Sequence, residues 1–258
     1  MTTPPASAAR HLSGWWPVFR AAGALLILAA IVAQLQRTIE IALAATTPHG
    51  SHLPTVIANF FSFFTIESNV LSVLGLAAAA VWSWTHRGTA AHPPLWLTVL
   101  LTAATAYMLV TGVVYNTLLR GIPLPQGQTV AWSNEVLHVV GPVLMLIDLL
   151  FAPRGRALRW SALWVVIAFP VVWAVYTLVR ANAIIAPATG NAWWYPYPFL
   201  DPHQVPGGYA GVAGYILLIA AIISAFAWFT VWYGRRAGRR FDADAGILPP
   251  TGRSSVTQ

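Results

Sequence analysis

Six long apolar runs constrain this chain more than any other feature of its sequence. They cover residues 16–39, 60–84, 95–118, 132–151, 158–179 and 209–233. A run of about 20 apolar residues is long enough to cross the hydrocarbon core of a bilayer as a helix. A helix also satisfies its own backbone hydrogen bonds in lipid. We therefore predict an all-α polytopic membrane protein, built as a bundle of six transmembrane helices.

The composition supports this class and excludes several kinds of site. Charged residues make up 8% of the chain and hydrophobic residues 57%, whereas a soluble domain has about 25% charged residues. The chain has no lysine, which excludes a retinal-type Schiff base. It has no cysteine, which excludes disulfides, thiolate metal sites and c-type haem attachment. No cofactor is expected.

The distribution of arginine predicts the orientation of the chain. Eleven arginines lie beside one set of run ends and in the tail, whereas Arg37, Arg120 and Arg180 lie on the other side. Because positive charge is enriched on the cytoplasmic side, both termini are predicted to be cytoplasmic in a multi-pass protein of the cell membrane. The net charge of +7 then reflects membrane orientation, so nucleic acid is not an expected partner.

The chain is predicted to contain one domain. An N-terminal segment (1–14) precedes the membrane domain (15–233), and a basic tail (234–258) is predicted to be disordered. Between the fifth and sixth runs, aromatic residues alternate with proline and lead into the segment Tyr197, Pro198, Phe199, Leu200 and Asp201. We predict that this loop folds back over the bundle as a cap, the alternative being a linker that rests on the membrane surface.

Polar residues inside the second and fourth runs are functional candidates, because polar groups are costly to place in lipid. In the second run, spacings of three, seven and ten residues place four polar side chains on one helix face: Ser62, Thr65, Asn69 and Ser72. In the fourth run, three polar residues are neighbours on a helical wheel: Asn134, Glu135 and His138. Thr65 and His138 both lie roughly 8–9 Å below the outer end of their runs.

Equal depth makes Thr65 and His138 a candidate pair of nucleophile and base. A third group is needed to orient the imidazole, and the candidates are Glu135, Asn134 and Glu67. Hydrogen-bond donors are needed to stabilise an oxyanion, and the candidates are Asn69, Arg37 and Arg120. The sequence thus allows ester hydrolysis near the outer leaflet.

Structural roles are alternatives for two of the acidic residues. Glu67 points almost opposite Thr65 on an ideal helix and is a candidate for an ion pair with Arg37 or Arg120. Asp148, near Arg154, is a candidate interfacial anchor.

Two other classes of function also fit the sequence. One is a metal-dependent hydrolase, with a single ion bound by His138, Glu135 and either Glu67 or His203. The other is a small transporter or lipid-binding protein without catalysis. Interrupted helices near the midplane are typical of transporters, and the runs here look mostly unbroken.

Three segments carry a resemblance to a known family. The first is Phe-Phe-Thr at 63–65, and the last is Tyr-Pro-Phe-Leu-Asp at 197–201. Between them, at 134–148, an asparagine is followed by a histidine four residues later and by an acid ten residues after the histidine. In these segments the chain resembles the androgen-induced protein family of multi-span membrane hydrolases, and bacterial six-span proteins without an assigned function. The resemblance implies a nucleophile at Thr65, a histidine partner at His138, and hydrolysis of fatty acid esters of hydroxy fatty acids.

The chain departs from the family pattern at two positions. Glu135 stands where family members have a histidine, and the helix proline, Pro142, comes one residue early. Few residues align the threonine, so Ser62 is an alternative nucleophile. Together, the residues and the resemblance predict a membrane hydrolase with a lipid or acyl-ester substrate and without a metal or cofactor.

Overall fold

The computed structural model describes residues 6–87, 91–122, 129–152 and 157–244, and within these ranges the side chains of 14–239. Across these residues the chain is helical and contains no strand. The α-helices are α1 (Ala6–Ala44), α2 (Leu53–Phe61), α3 (Phe64–Thr85), α4 (Leu95–Val114), α5 (Ala131–Glu135), α6 (Gly141–Phe151), α7 (Ala162–Ala181) and α8 (Tyr209–Asp244).

Six stretches are long and apolar enough to cross a membrane: Gly14–Ala44, Phe64–Thr85, Leu95–Leu119, Ala131–Phe151, Ala162–Ala181 and Tyr209–Arg239. The predicted fold class, an all-α bundle of six membrane-spanning helices, is confirmed. The end of the bundle where α1 begins and α8 ends is called the inner end below. The opposite end, which carries α2 and the loop between α7 and α8, is called the outer end.

The two terminal helices extend beyond the predicted spans. Helix α1 begins at Ala6, inside the predicted N-terminal segment. Helix α8 continues to Asp244, so residues 234–244 of the tail are helical and not disordered. Stacking of cations on aromatic rings contributes to this extension, since the Arg235 guanidinium lies over the Trp160 ring and that of Arg236 over Trp232. Residues 245–258 lie outside the described part of the chain.

The second apolar run is interrupted, contrary to the prediction of one continuous helix over 60–84. Helix α2 ends at Phe61, and α3 begins at Phe64 after an extended Phe63. The Ser62 carbonyl at the break accepts a hydrogen bond from Trp173 Nε1 of α7, at 3.0 Å. The interruption makes Thr65 the second residue of a new helix, so Ser62 does not share that helix with Thr65.

The fourth span contains a wider, π-helical turn (Val136–Val140) between α5 and α6. Its origin is Pro142, which has no N–H to donate to the His138 carbonyl four residues earlier. That carbonyl instead accepts a hydrogen bond from the Asn116 side chain at 3.2 Å. Asn116 lies in a second π-helical turn (Tyr115–Leu119) that follows α4, so the two irregular turns face one another.

Helix α4 is the central helix of the bundle. In its span 72% of the residues are buried, compared with 22% in the span of α7 and 17% in that of α8. Helices α7 and α8 therefore present most of their surface to the surrounding lipid. At the outer end, all three contribute to one apolar cavity, described below.

A buried ion pair joins α1 and α6 at the inner end. Arg20 Nε lies 2.7 Å from Asp148 Oδ1, and Trp16 Nε1 donates to the same oxygen at 2.9 Å. The Asp148 side chain is fully buried. Arg154 lies outside the described residues, so the prediction that Asp148 is an interfacial anchor near it stays a prediction.

Candidate functional site

The candidate site is centred on the hydroxyl of Thr65 at the start of α3. Thr65 Oγ1 lies 3.3 Å from His138 Nε2 and 3.2 Å from the Tyr197 hydroxyl. The close approach of Thr65 and His138, predicted from their equal depth, is confirmed. Their roles in a reaction stay a prediction.

One hydrogen bond and one stacked aromatic ring hold the His138 side chain in place. Nδ1 lies 2.9 Å from the backbone carbonyl oxygen of Asn134, and the ring stacks on Tyr115 with centroids 3.8 Å apart. A carbonyl oxygen only accepts hydrogen bonds, so Nδ1 carries the hydrogen of a neutral imidazole. The lone pair of Nε2 then faces the Thr65 hydroxyl. This tautomer is the one that accepts a proton from Thr65.

The group that orients the ring differs in part from the prediction. Asn134 does orient it, but through its backbone carbonyl, while its side chain donates to the Tyr115 hydroxyl at 2.5 Å. Glu135 does not, because its carboxylate pairs with Arg120 at 2.9 and 3.0 Å. Of the predicted candidates, Asn134 is therefore the one that contacts the ring. Glu67 does not orient the ring either, since Asn134 and Thr65 occupy its two nitrogens.

The predicted oxyanion donors are engaged elsewhere. The Asn69 amide nitrogen donates to the carbonyl oxygens of Thr65 and Leu137, at 2.8 and 3.1 Å, so it links α3 to the turn that carries His138. The Arg120 guanidinium bonds to Glu135 and, through Nε, to Asn116. Neither side chain is hydrogen-bonded to Thr65 Oγ1, and a role for either as an oxyanion donor stays a prediction.

Arg37 and Glu67 are not hydrogen-bonded to Thr65. Arg37 pairs with Glu40 on its own helix, at 3.4 Å, and its side chain is 37% exposed. The proposed pairing of Glu67 with Arg120 is replaced by the pairing of Arg120 with Glu135. Among the described residues, Glu67 Oε2 is buried without a hydrogen-bond partner.

The loop between α7 and α8 covers the outer end of the bundle, as the cap prediction states. Tyr197, Phe199 and Leu200 are each less than 10% exposed. A single 3-10 turn (Pro198–Leu200) carries the chain across the bundle. Asp201 closes the loop on itself, since its carboxylate accepts hydrogen bonds from the backbone N–H of His203 and from Gln204.

Tyr197 contributes more than a cap. The Thr65 backbone N–H, one of the first donors of α3 and therefore without an intrahelical partner, donates to the Tyr197 hydroxyl at 3.1 Å. Burial raises the pKa of the Tyr197 phenol to about 12, which keeps it a neutral O–H donor at physiological pH. The sequence predicts Tyr197 as part of the cap but does not predict this hydroxyl contact. Nothing in the alternating Tyr-Pro pattern distinguishes it from Tyr195.

An apolar cavity of about 310 Å³ borders Thr65 and Tyr197. Helices α4, α7 and α8 form its walls, and Phe199 and Leu200 of the cap close its outer end. Such a lining binds hydrocarbon and excludes a charged ligand. The site therefore joins a polar, hydrogen-bonded end to an apolar chamber.

The ligands proposed for a metal ion are not gathered at His138. Among the described residues, no three His, Asp or Glu side chains form a group that could hold an ion. His203 bonds to Asp201 and stacks on Trp193, and Glu135 pairs with Arg120. The donor set of the metal-dependent alternative is therefore not assembled in the described part of the chain.

Comparison of this chain with protein-family models, with curated proteins and with solved structures finds no match. The resemblance to the androgen-induced protein family stays a prediction from three short segments. What supports a function is therefore the geometry of Thr65, His138 and Tyr197, set in a bundle of six membrane-spanning helices.

Proposed function

We propose that this protein is an integral membrane hydrolase of lipid esters, with Thr65 as nucleophile and His138 as general base. The observation that carries the proposal is the distance of 3.3 Å between Thr65 Oγ1 and His138 Nε2, combined with the Asn134 carbonyl that fixes the ring tautomer. This is the arrangement of nucleophile, base and orienting group found in acyl-transfer enzymes, with a carbonyl in place of the usual carboxylate.

The reaction proceeds in two halves. Thr65 Oγ1 attacks the ester carbonyl carbon while His138 Nε2 takes the hydroxyl proton. The tetrahedral intermediate collapses, the C–O bond to the alcohol breaks, and Nε2–H protonates the departing alcohol. Water then attacks the acyl-threonine ester with its proton passing to Nε2. Collapse of that second intermediate returns the proton to Oγ1 and releases the carboxylic acid.

Tyr197 is the proposed donor to the oxyanion. Its neutral hydroxyl lies 3.2 Å from Thr65 Oγ1, next to where the substrate carbonyl must approach. The Thr65 N–H points to the same place, and the positive end of the α3 dipole favours negative charge there. Donors fixed in advance in a dry site stabilise developing charge strongly.

The proposed substrate is a lipid because of where the site lies. Thr65 borders an apolar cavity within the membrane-spanning bundle, and the cap covers it from the outer side. An ester reaching Thr65 therefore carries hydrocarbon. Its polar part fits only at the outer end, where Tyr197 and His138 lie.

The proposal also assigns the site to the outer leaflet of the cell membrane. This follows from the arginine distribution, which makes the inner end cytoplasmic. Reporters active only in the cytoplasm test it: fusions after Arg87, Arg156 and Arg240 should be active, and fusions near Gly50, Gln126 and Gly190 inactive. The reverse pattern would move the site to the inner leaflet.

A second candidate is a lipid-binding or transport protein without catalysis. The break between α2 and α3 favours it, because interrupted helices beside a binding site are typical of transporters. In such a protein Thr65 and His138 would only bind the polar part of a lipid.

A covalent probe separates these candidates. The purified protein is treated with a fluorophosphonate probe for serine and threonine hydrolases, and the modified peptide is identified by mass spectrometry. We expect labelling on Thr65 in wild type, none in Thr65→Val, and no effect of a chelator. Labelling on Ser62 would transfer the nucleophile to that residue, and a folded wild type that is not labelled would contradict the proposal.

A further inference from the structure

The apolar cavity is elongated along the helices. On α7 its lining runs from Leu178, level with the cap, to Ile167. Eleven residues of helix correspond to about 16 Å at 1.5 Å per residue. The hydrocarbon core of a bilayer is roughly 30 Å thick, so the cavity extends over about one leaflet. Its length fits one lipid tail that points towards the midplane.

Among the described residues, the cavity lining below the level of Thr65 is apolar except for the hydroxyl side chains of Thr111 and Ser224. Thr111, the polar residue on its α4 wall, is already hydrogen-bonded to Ser68 of α3 at 3.0 Å. The α7 wall contributes Ile167, Pro170 and other apolar side chains. The mostly apolar lining of this chamber therefore favours a hydrocarbon occupant.

The cavity opens sideways between α7 and α8. Val171 and Val175 of α7 line it and are 56% and 57% exposed. Ala220 and Ser224 of α8 also line it and are also exposed. Side chains that line a cavity and reach the outer surface mark its opening. Here that opening lies between the two least buried helices and faces lipid.

We propose that one acyl chain of a membrane lipid enters between α7 and α8 and lies along this cavity, with its carbonyl end at Thr65. The position of the carbonyl end rests on the proposed hydrolase function, whereas the entry route rests on the cavity alone. The small side chains of Ala220 and Ser224 keep the opening wide. They are specificity-determining residues, because larger side chains there would close the opening or shorten the chamber.

Neighbouring residues of α8 provide matched controls. Ala221 is exposed like Ala220 but does not line the cavity, and Ala225 stands in the same relation to Ser224. Ala220→Phe therefore places a ring in the opening, whereas Ala221→Phe places the same ring against lipid. The Ser224→Phe and Ala225→Phe pair repeats the comparison one helical turn further from the cap.

The test uses the full-length protein in lipid nanodiscs and palmitic acid that carries a photoreactive diazirine in its chain. We expect labelled peptides from α7 and α8, with a several-fold loss of labelling in Ala220→Phe and none in Ala221→Phe. If Ala220→Phe does not fold, the comparison is made with Ser224→Phe and its control Ala225→Phe. Equal labelling in both members of a folded pair would overturn the entry route.

Hydrolysis is measured separately on the same variants. If labelling depends on Ala220 while wild type shows no ester turnover, the acyl-chain route stands and the hydrolase proposal fails. If ester turnover is normal in Ala220→Phe and labelling is unchanged, the hydrolase proposal stands and this inference is wrong. Labelling in Thr65→Val should match wild type, since that substitution removes the nucleophile without entering the opening.

Discussion

The two ends of the bundle both bury polar side chains, but they arrange them differently. At the inner end, the Arg20 and Asp148 side chains are 7% and 0% exposed, and Trp16 and Ser83 complete the hydrogen bonds. At the outer end, the hydroxyls of Thr65 and Tyr197 meet the His138 ring at the edge of an apolar cavity.

The contrast separates a structural cluster from a candidate reactive one. At the inner end, opposite charges neutralise one another and Trp16 and Ser83 add hydrogen bonds, as a buried pair needs to offset its desolvation. At the outer end, neutral groups share hydrogen bonds of 3.2 and 3.3 Å that a substrate can replace. Such contacts are often long without substrate and tighten when it binds. Substitutions at the two ends should therefore affect different properties.

The largest expected effect is on turnover at the outer end. Thr65→Ala or His138→Ala should each lower kcat for a lipid ester by on the order of 10³-fold or more, and the double variant should lose little further activity. Residues that share one chemical step behave in this non-additive way. Effects that multiply in the double variant would show that the two residues act independently.

Substitutions at the inner end should have the opposite effect: they should lower stability strongly, while the variant protein that does fold keeps its turnover. Asp148→Ala leaves the Arg20 charge buried, which should lower the free energy of unfolding by about 3–5 kcal/mol. Equilibrium unfolding in mixed detergent and SDS measures this loss. The double change Arg20→Met with Asp148→Leu removes both charges and should recover much of it. Loss of turnover in folded Asp148→Ala would make the inner pair part of the reaction.

A smaller effect on turnover is expected from Tyr197→Phe. The substitution keeps the ring packed against Phe63 and Phe199 and removes only the hydroxyl. Loss of one oxyanion donor lowers kcat by about 10²–10³-fold. Because the pKa of Tyr197 is raised to about 12, the hydroxyl stays protonated throughout the neutral range, so the pH profile should keep its shape. An unchanged kcat would exclude Tyr197 as the donor.

The smallest effect is expected from Glu135→Gln. Glu135 contacts Arg120 at the exposed edge of the site, and the Asn134 carbonyl, not this carboxylate, orients His138. Turnover and stability should stay close to wild type. A large loss of kcat in folded Glu135→Gln would mean that the carboxylate stabilises the charged imidazole from a distance.

Much of the fold follows directly from the sequence. The spans are set by hydrophobic length, and the depth of Thr65 and His138 follows from counting residues along two helices. The cap follows from prolines that prevent a helix and aromatic residues that favour burial. These are local properties, so one sequence is enough to read them.

What the sequence did not predict depends on contacts between helices. The break at Ser62 has no glycine or proline to mark it, and Trp173 from another helix bonds to the freed carbonyl. Asn69 and Arg120 have the right chemistry for an oxyanion, but Asn69 donates to the Leu137 carbonyl and Arg120 pairs with Glu135, both on another span. The wide turn at His138 had a local signal in Pro142, although its partner Asn116 becomes visible only when the helices are packed.

Exchange of the Thr65 hydroxyl alone tests whether this group attacks the ester. Thr65→Ser keeps a hydroxyl, and Thr65→Val keeps the shape without it. The lost hydrogen bonds cost stability as well, by about 1–3 kcal/mol, so size-exclusion chromatography must first show both variants folded. Turnover of a lipid ester is then measured in nanodiscs. We expect measurable turnover in Thr65→Ser and none above background in Thr65→Val, whereas normal turnover in folded Thr65→Val would rule out attack by the Thr65 hydroxyl.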